Sequence, residues 1–116
     1  MKGDYYYTPV PNRVFSWMAE YKLSGVEIRL LLHIIRCTRG WIQSGGGRKK
    51  RDWIAHSQFV KYCSMSDRSV TKGIQSLIDK KLIKATDSVG NDLSIPNKRK
   101  FAMRVFYELS VGKSEK

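Results

Sequence analysis

Apolar positions recur at helical spacing twice in the first forty residues. Val14, Trp17, Met18 and Tyr21 follow the i, i+3, i+4, i+7 pattern behind Pro11-Asn12, which predicts a short amphipathic helix. Ser24-Gly25-Val26-Glu27 then places a Ser cap three residues before a Glu, the capping box that opens a second helix running to about Gly40. Ile28, Leu31, Leu32 and Ile35 form its main stripe, and Val26, Leu30 and Ile34 widen it, so this helix is expected at the centre of the fold. Arg29, His33 and Arg36 share its remaining side, which predicts a solvent-facing histidine.

Past Trp41 and a glycine-rich loop, Asp52-Trp53-Ile54-Ala55 is too short for a helix and suits a brief strand. Ser57 is read as the cap of a helix over Gln58–Cys63, and Ser66 as the cap of another running to about Lys81. The latter turns Val70, Ile74, Leu77 and Ile78 inward. Two short helices across a tight turn make a helix-turn-helix, resting here on the paired caps because the connection has no Gly. Leu82–Thr86 and Arg99–Leu109 read as strands, the second alternating Phe101, Met103, Val105 and Tyr107 on one face. Val89-Gly90-Asn91-Asp92 and Ile95-Pro96-Asn97 mark turns between them, giving a hairpin with a long tip. The fold class expected is mainly α with a small β-hairpin, a winged helix-turn-helix of order α-α-β-α-α-β-β. It forms one domain over residues 1–110, with a polar tail over 111–116 expected to fray.

Composition agrees with one folded domain: 116 residues, 41% hydrophobic and 11% aromatic, enough for a core. Charge adds more. With 22 Lys and Arg against 10 Asp and Glu the chain carries +12, and the excess is concentrated, at +3 over residues 1–44, +7 over 45–84 and +2 over 85–116. Arg48-Lys49-Lys50-Arg51 behind Gly45-Gly46-Gly47 reads as four cations on a flexible connection that can swing to a polyanion, or as a merely solvated loop. The most apolar stretch, Leu30 to Ile35, is far too short for a bilayer span, and the N-terminus lacks the pattern of a signal peptide. A cytoplasmic protein without membrane contact is expected, with Cys37 and Cys63 as reduced thiols.

The side of the Ser66–Lys81 helix opposite its apolar stripe carries Arg68, Lys72, Gln75 and Ser76, flanked by Ser69 and Thr71. Arg and Lys can donate to guanine, Gln can pair bidentately with adenine, and Ser or Thr can reach base edges or phosphates. Any solvated helix face has such residues. Placement on the second helix of a helix-turn-helix is what favours base reading, because that helix enters the major groove. Arg48–Arg51, the cap residues Ser57 and Ser66, and Lys98, Arg99 and Lys100 on the wing are the candidate phosphate contacts. The wing cations could instead guard a sheet edge.

Enzymatic readings fail on the residues. Gly45–Lys50 lacks the Gly spacing and the Ser/Thr of a phosphate-binding loop. His33 and His56 are too far apart for a local zinc motif, and the carboxylates form no two-metal cluster. Tyr5-Tyr6-Tyr7 has nothing nearby to activate a nicking tyrosine, and packing of that segment on the domain is expected. No catalytic residue, metal or cofactor is expected.

Thr8-Pro9-Val10-Pro11-Asn12, Leu23-Ser24 with Glu27, Ile34–Trp41, Asp52–Phe59, and Met65–Lys72 with Leu77 and Leu82-Ile83 occur in the order found in the N-terminal domain of bacteriophage replication protein O, and the chain resembles that family over about residues 8 to 86. The resemblance implies a winged helix that recognises repeated sites in a replication origin as a dimer, with Arg68, Ser69, Thr71 and Lys72 as the major-groove readers. The Gly and basic insertion at residues 45–51 departs from the family pattern. The family's C-terminal portion, which recruits the replicative helicase, has no counterpart here, so host replication proteins would be engaged through a region not in this chain. The sequence is then either a DNA-binding fragment of a longer initiator or a small protein that kept only binding. The expected partner is double-stranded DNA. A transcriptional regulator on the same fold and a protein-interaction module without DNA binding are the alternatives.

Overall fold

The computed structural model describes residues 7–40 and 47–110. Tyr5, Tyr6, Trp41, the first two glycines of the triple-Gly run and the polar tail over 111–116 lie outside the described residues. The element order is α1 (Asn12–Glu20), α2 (Gly25–Arg39), β1 (Asp52–Trp53), α3 (His56–Tyr62), α4 (Asp67–Asp79), β2 (Ile83–Thr86), α5 (Pro96–Phe101) and β3 (Phe106–Leu109). It is a mainly helical fold with a small antiparallel sheet, compatible with a winged helix.

The predicted capping box forms at the head of α2. Ser24 Oγ accepts from Glu27 N–H at 3.1 Å, and Glu27 Oε1 accepts from Ser24 N–H at 2.9 Å. Behind it Leu30, Leu31, Ile34 and Ile35 are buried, as expected of a central helix, whereas Leu32 is exposed and leaves the predicted stripe. Residues 70, 74 and 77 of α4 pack against this helix, and Gly73 makes the approach possible. A Cβ at Gly73 would stand 2.4 Å from Leu30 Cδ1 and 2.8 Å from Val26 Cγ1.

The α3–α4 connection is tight although it has no glycine, because Ser64 itself takes the left-handed conformation, with φ of 52°. The other end of α4 closes with Lys81 at φ of 63°, its N–H donating to Ile78 O and that of Leu82 to Leu77 O. These two bonds are a Schellman motif, accompanied by burial of Leu77 and Leu82.

Several expectations are corrected. Helix α3 begins at His56, with Ala55 rather than Ser57 at the N-cap. Gln58 Oε1 accepts from Ala55 N–H at 3.2 Å, and Ser57 sits exposed within the first turn. His33 is only partly solvent-facing: half-buried, its ring stacks on Tyr62 at 5.8 Å and meets Phe59 edge-on at 5.5 Å, with Nε2 3.4 Å from Cys37 Sγ. Burial, with the charge of Arg36, lowers its pKa.

The long strand over Arg99–Leu109 is not formed. Pro96 occupies the start of α5, where its missing N–H and fixed φ cost nothing, and the helix consumes the residues up to Phe101. The strand shrinks to β3, which pairs with β2 from Ile83↔Leu109 to Thr86↔Phe106. On its other edge β3 pairs with β1 through Asp52↔Tyr107 and Trp53↔Phe106, so the sheet has three strands in the order β1-β3-β2. Tyr107 from this sheet meets Phe59 of α3 edge-on at 5.4 Å and joins sheet to helices.

Candidate nucleic-acid interface

Helix α4 is positioned by its cap and by its neighbour. Ser66 Oγ accepts from Ser69 N–H at 3.1 Å, and its hydroxyl donates to Ser69 Oγ, also at 3.1 Å. His56 at the start of α3 pairs with Asp67 in the first turn of α4, tying the two helices of the helix-turn-helix together. With Val70, Gly73, Ile74 and Leu77 turned into the core, Arg68, Thr71 and Lys72 stand exposed on the outer side and Ser69 half-exposed beside them. The Thr71 hydroxyl donates to Asp67 O at 3.2 Å.

Farther along the helix the polar side chains are committed inward. Gln75 Nε2 donates to Asp79 Oδ1 and to Ser94 O, both at 3.0 Å, while its Oε1 accepts from Arg99 Nη2 at 2.8 Å. The Ser76 hydroxyl donates to Glu27 Oε2 at 2.6 Å, and Lys80 Nζ reaches the same oxygen. Gln75 and Ser76, read from the sequence as part of the outward face, therefore serve the frame. Glu27 is only 5% exposed. Burial alone would raise its pKa. The Lys80 ammonium, Ser24 N–H and the Ser76 hydroxyl outweigh that penalty and hold it down at about 2.

The basic run over residues 48–51 is not the swinging segment its sequence suggests. Arg51 Nη2 donates to Thr86 Oγ1 at 3.0 Å and Asp87 O at 2.7 Å, and its guanidinium covers the Phe106 ring at 4.3 Å. Arg48 Nη1 donates to Arg39 O at 3.3 Å and lies 5.4 Å from the ring of the exposed Tyr7. Lys49 pairs with Asp52 at 3.4 Å, and Lys50 is exposed. Three of the four cations are thus held to the domain surface.

On α5 the predicted wing cations separate. Lys98 and Lys100 are exposed, whereas Arg99 is half-buried and donates through Nη1 to Leu93 O at 3.0 Å as well as to Gln75. Arg104, a residue the sequence reading did not single out, is exposed with its guanidinium 4.9 Å from the Trp53 ring. Its signal was hidden because it falls inside the alternation taken for a long strand. Among the described residues, no group of three potential metal ligands occurs and no helix is long and apolar enough to cross a membrane.

A capped helix α4 with cations on its outer side and a short basic helix, α5, beside it make a basic domain whose fold is compatible with a winged helix. The family pattern of bacteriophage replication protein O matches residues 3–99, and the chain belongs to that family. Its role accordingly lies in phage replication. No curated protein and no solved structure matches the chain.

Proposed function

We propose that this chain is a sequence-specific double-stranded DNA-binding module that recognises sites in a phage replication origin, without enzymatic activity of its own. The observation that carries the reading is the outer side of α4, where Arg68, Thr71 and Lys72 are exposed on the helix that a helix-turn-helix lays in the major groove. Arg68 and Lys72 supply donors for guanine, Ser69 and Thr71 supply hydroxyls, and Lys50, Lys98 and Lys100 are exposed cations for phosphates on either side. Family membership supports replication as the process served. Action in the host cytoplasm, pairing of two copies on DNA and contact with host replication proteins through further residues belong to the same reading.

Selection of bound duplexes from a random pool, followed by titration of the winning site at several salt concentrations, tests it. Log affinity is expected to fall with log salt at about −0.9 per neutralised phosphate. A flat salt response, or a pool that never converges on a site, would sink the reading.

A further inference from the structure

Beside the proposed duplex-reading face lies a second group of side chains, which shares Thr71 and Lys100 with it but is otherwise distinct. A cleft of about 580 Å³ opens between α4 and the segment leading from α5 into β3, with Trp53, His56, Thr71, Lys100, Arg104 and Val105 in its wall. Met103 in the same wall is 99% exposed, and Phe101, between the wall residues Lys100 and Ala102 in the chain, is 82% exposed. Single exposed apolar residues need no explanation, but these two stand within three residues of chain and are flanked by the cations Lys100 and Arg104. Lys100 Nζ lies 5.9 Å from the Phe101 ring, and the Arg104 guanidinium 4.9 Å from that of Trp53. Among the described residues Asp67 is the one carboxylate in the cleft wall, and it is paired with His56.

We infer that this cleft and Phe101 beside it bind unpaired DNA, with bases stacked on Phe101, Met103 and the Arg104–Trp53 pair and phosphates held by Lys98 and Lys100. The chemistry selects a single strand over a duplex. A paired duplex offers base edges, which are read by hydrogen-bonding groups, while Phe and Met carry none. An unpaired strand offers base faces, which aromatic side chains and guanidinium planes complement whatever the sequence. Driving the same side chains into a paired step would first require unstacking it, at a cost comparable to the gain. The positive surround matches the backbone of either form. The inference rests on the reading of this chain as a DNA binder; its stacking residues lie off the outer side of α4, while Lys98 and Lys100 serve both readings.

Fluorescence anisotropy with a labelled oligo(dT) of about 20 nucleotides, longer than the site of one small binding module, and with the selected duplex tests it at one salt concentration. The full chain is compared with Phe101→Ser/Met103→Ser and with Arg104→Ala, all checked for an unchanged thermal melt. Each variant is expected to lose about tenfold in affinity for oligo(dT) while holding duplex affinity within about twofold. Unchanged oligo(dT) binding by both variants overturns the inference, as do equal losses on both substrates, the mark of a wedge in the duplex. Failure of the full chain to bind oligo(dT) where it binds duplex overturns it too, and leaves the duplex reading standing. Binding of oligo(dT) with the expected losses but no duplex binding removes the duplex reading and supports this one.

Discussion

Along α4, Arg68 and Lys72 project side chains with no partner among the described residues, whereas Gln75, Ser76 and Lys80 farther along are tied to α2, to α5 and to the loop that precedes α5. The residue types do not separate the two halves, since each mixes cations with hydroxyl or amide groups that hydrogen-bond bases equally well in principle. What separates them is the neighbourhood. The second half lies against the buried Glu27 carboxylate and the Arg99 guanidinium, both of which need partners, and the first half meets solvent. One helix thus holds an available face and a frame in succession, and the frame keeps the face in position.

That contrast can be broken most forcefully at Glu27. Glu27→Ala would strand the Ser76 hydroxyl, Ser24 N–H and, in part, the Lys80 ammonium, and is expected to cost about 2–4 kcal/mol in chemical denaturation, below the figure for a fully buried pair because Lys80 is partly exposed. Its folded pKa is depressed, so its contribution is complete above the unfolded value of about 4.3 and is lost as pH falls toward about 2. Denaturation midpoints should therefore drop across that window, and less so in Glu27→Gln. Arg68→Ala and Lys72→Ala should do the reverse. Stability is expected to stay within about 0.5 kcal/mol, while discrimination between selected and mismatched duplexes falls by about 1–3 kcal/mol in competition binding. Large stability losses there would erase the distinction between face and frame.

Smaller effects sharpen it. At Gly73, midway between the halves, Gly73→Ala gains helix propensity worth about 1 kcal/mol but forces a methyl onto the buried Leu30, an overpacking penalty of about 1–3 kcal/mol. A net loss of about 1 kcal/mol in a thermal melt is expected, and a gain would mean that α2 and α4 can separate freely. The smallest effect is a gain: Ser64→Gly should raise stability by about 0.5 kcal/mol, because the left-handed turn between α3 and α4 strains any residue with a Cβ. A loss would show that the Ser64 side chain does more than tolerate the turn.

Elements set by neighbours in sequence were legible and those set by distant ones were not. The Ser24–Glu27 box could be read because donor and acceptor lie three residues apart. The other oxygen of the same carboxylate bonds Ser76 and Lys80, 49 and 53 residues away, and nothing local announces that. Helices α1, α2 and α4 followed their apolar spacing, and the outward position of Arg68, Ser69, Thr71 and Lys72 followed with it. Gln75 and Ser76 share that periodicity but answer to Arg99 and Glu27, so their commitment is a tertiary fact. In the wing, alternation from Phe101 to Tyr107 imitated a strand. Pro96 followed by Asn-Lys-Arg-Lys carried the opposite signal, a helix start with basic residues at its end, and that signal won. At α3 Ser57 reads as the cap because serine is a common one, whereas Ala55 holds that position and Gln58, reaching back to Ala55 N–H, fixes the helix start.

The two bonds of Arg99 bear on how the wing meets a partner. One arm of the guanidinium holds the carbonyl of Leu93 in the segment that leads into α5, and the other holds Gln75 in the flank of α4. A planar fork bonded at both tips fixes direction as well as distance, so α5 and α4 are braced at a set angle. A surface that must touch both then meets a jaw whose opening is already chosen. The entropy of ordering the wing is spent when the chain folds, not when the partner arrives.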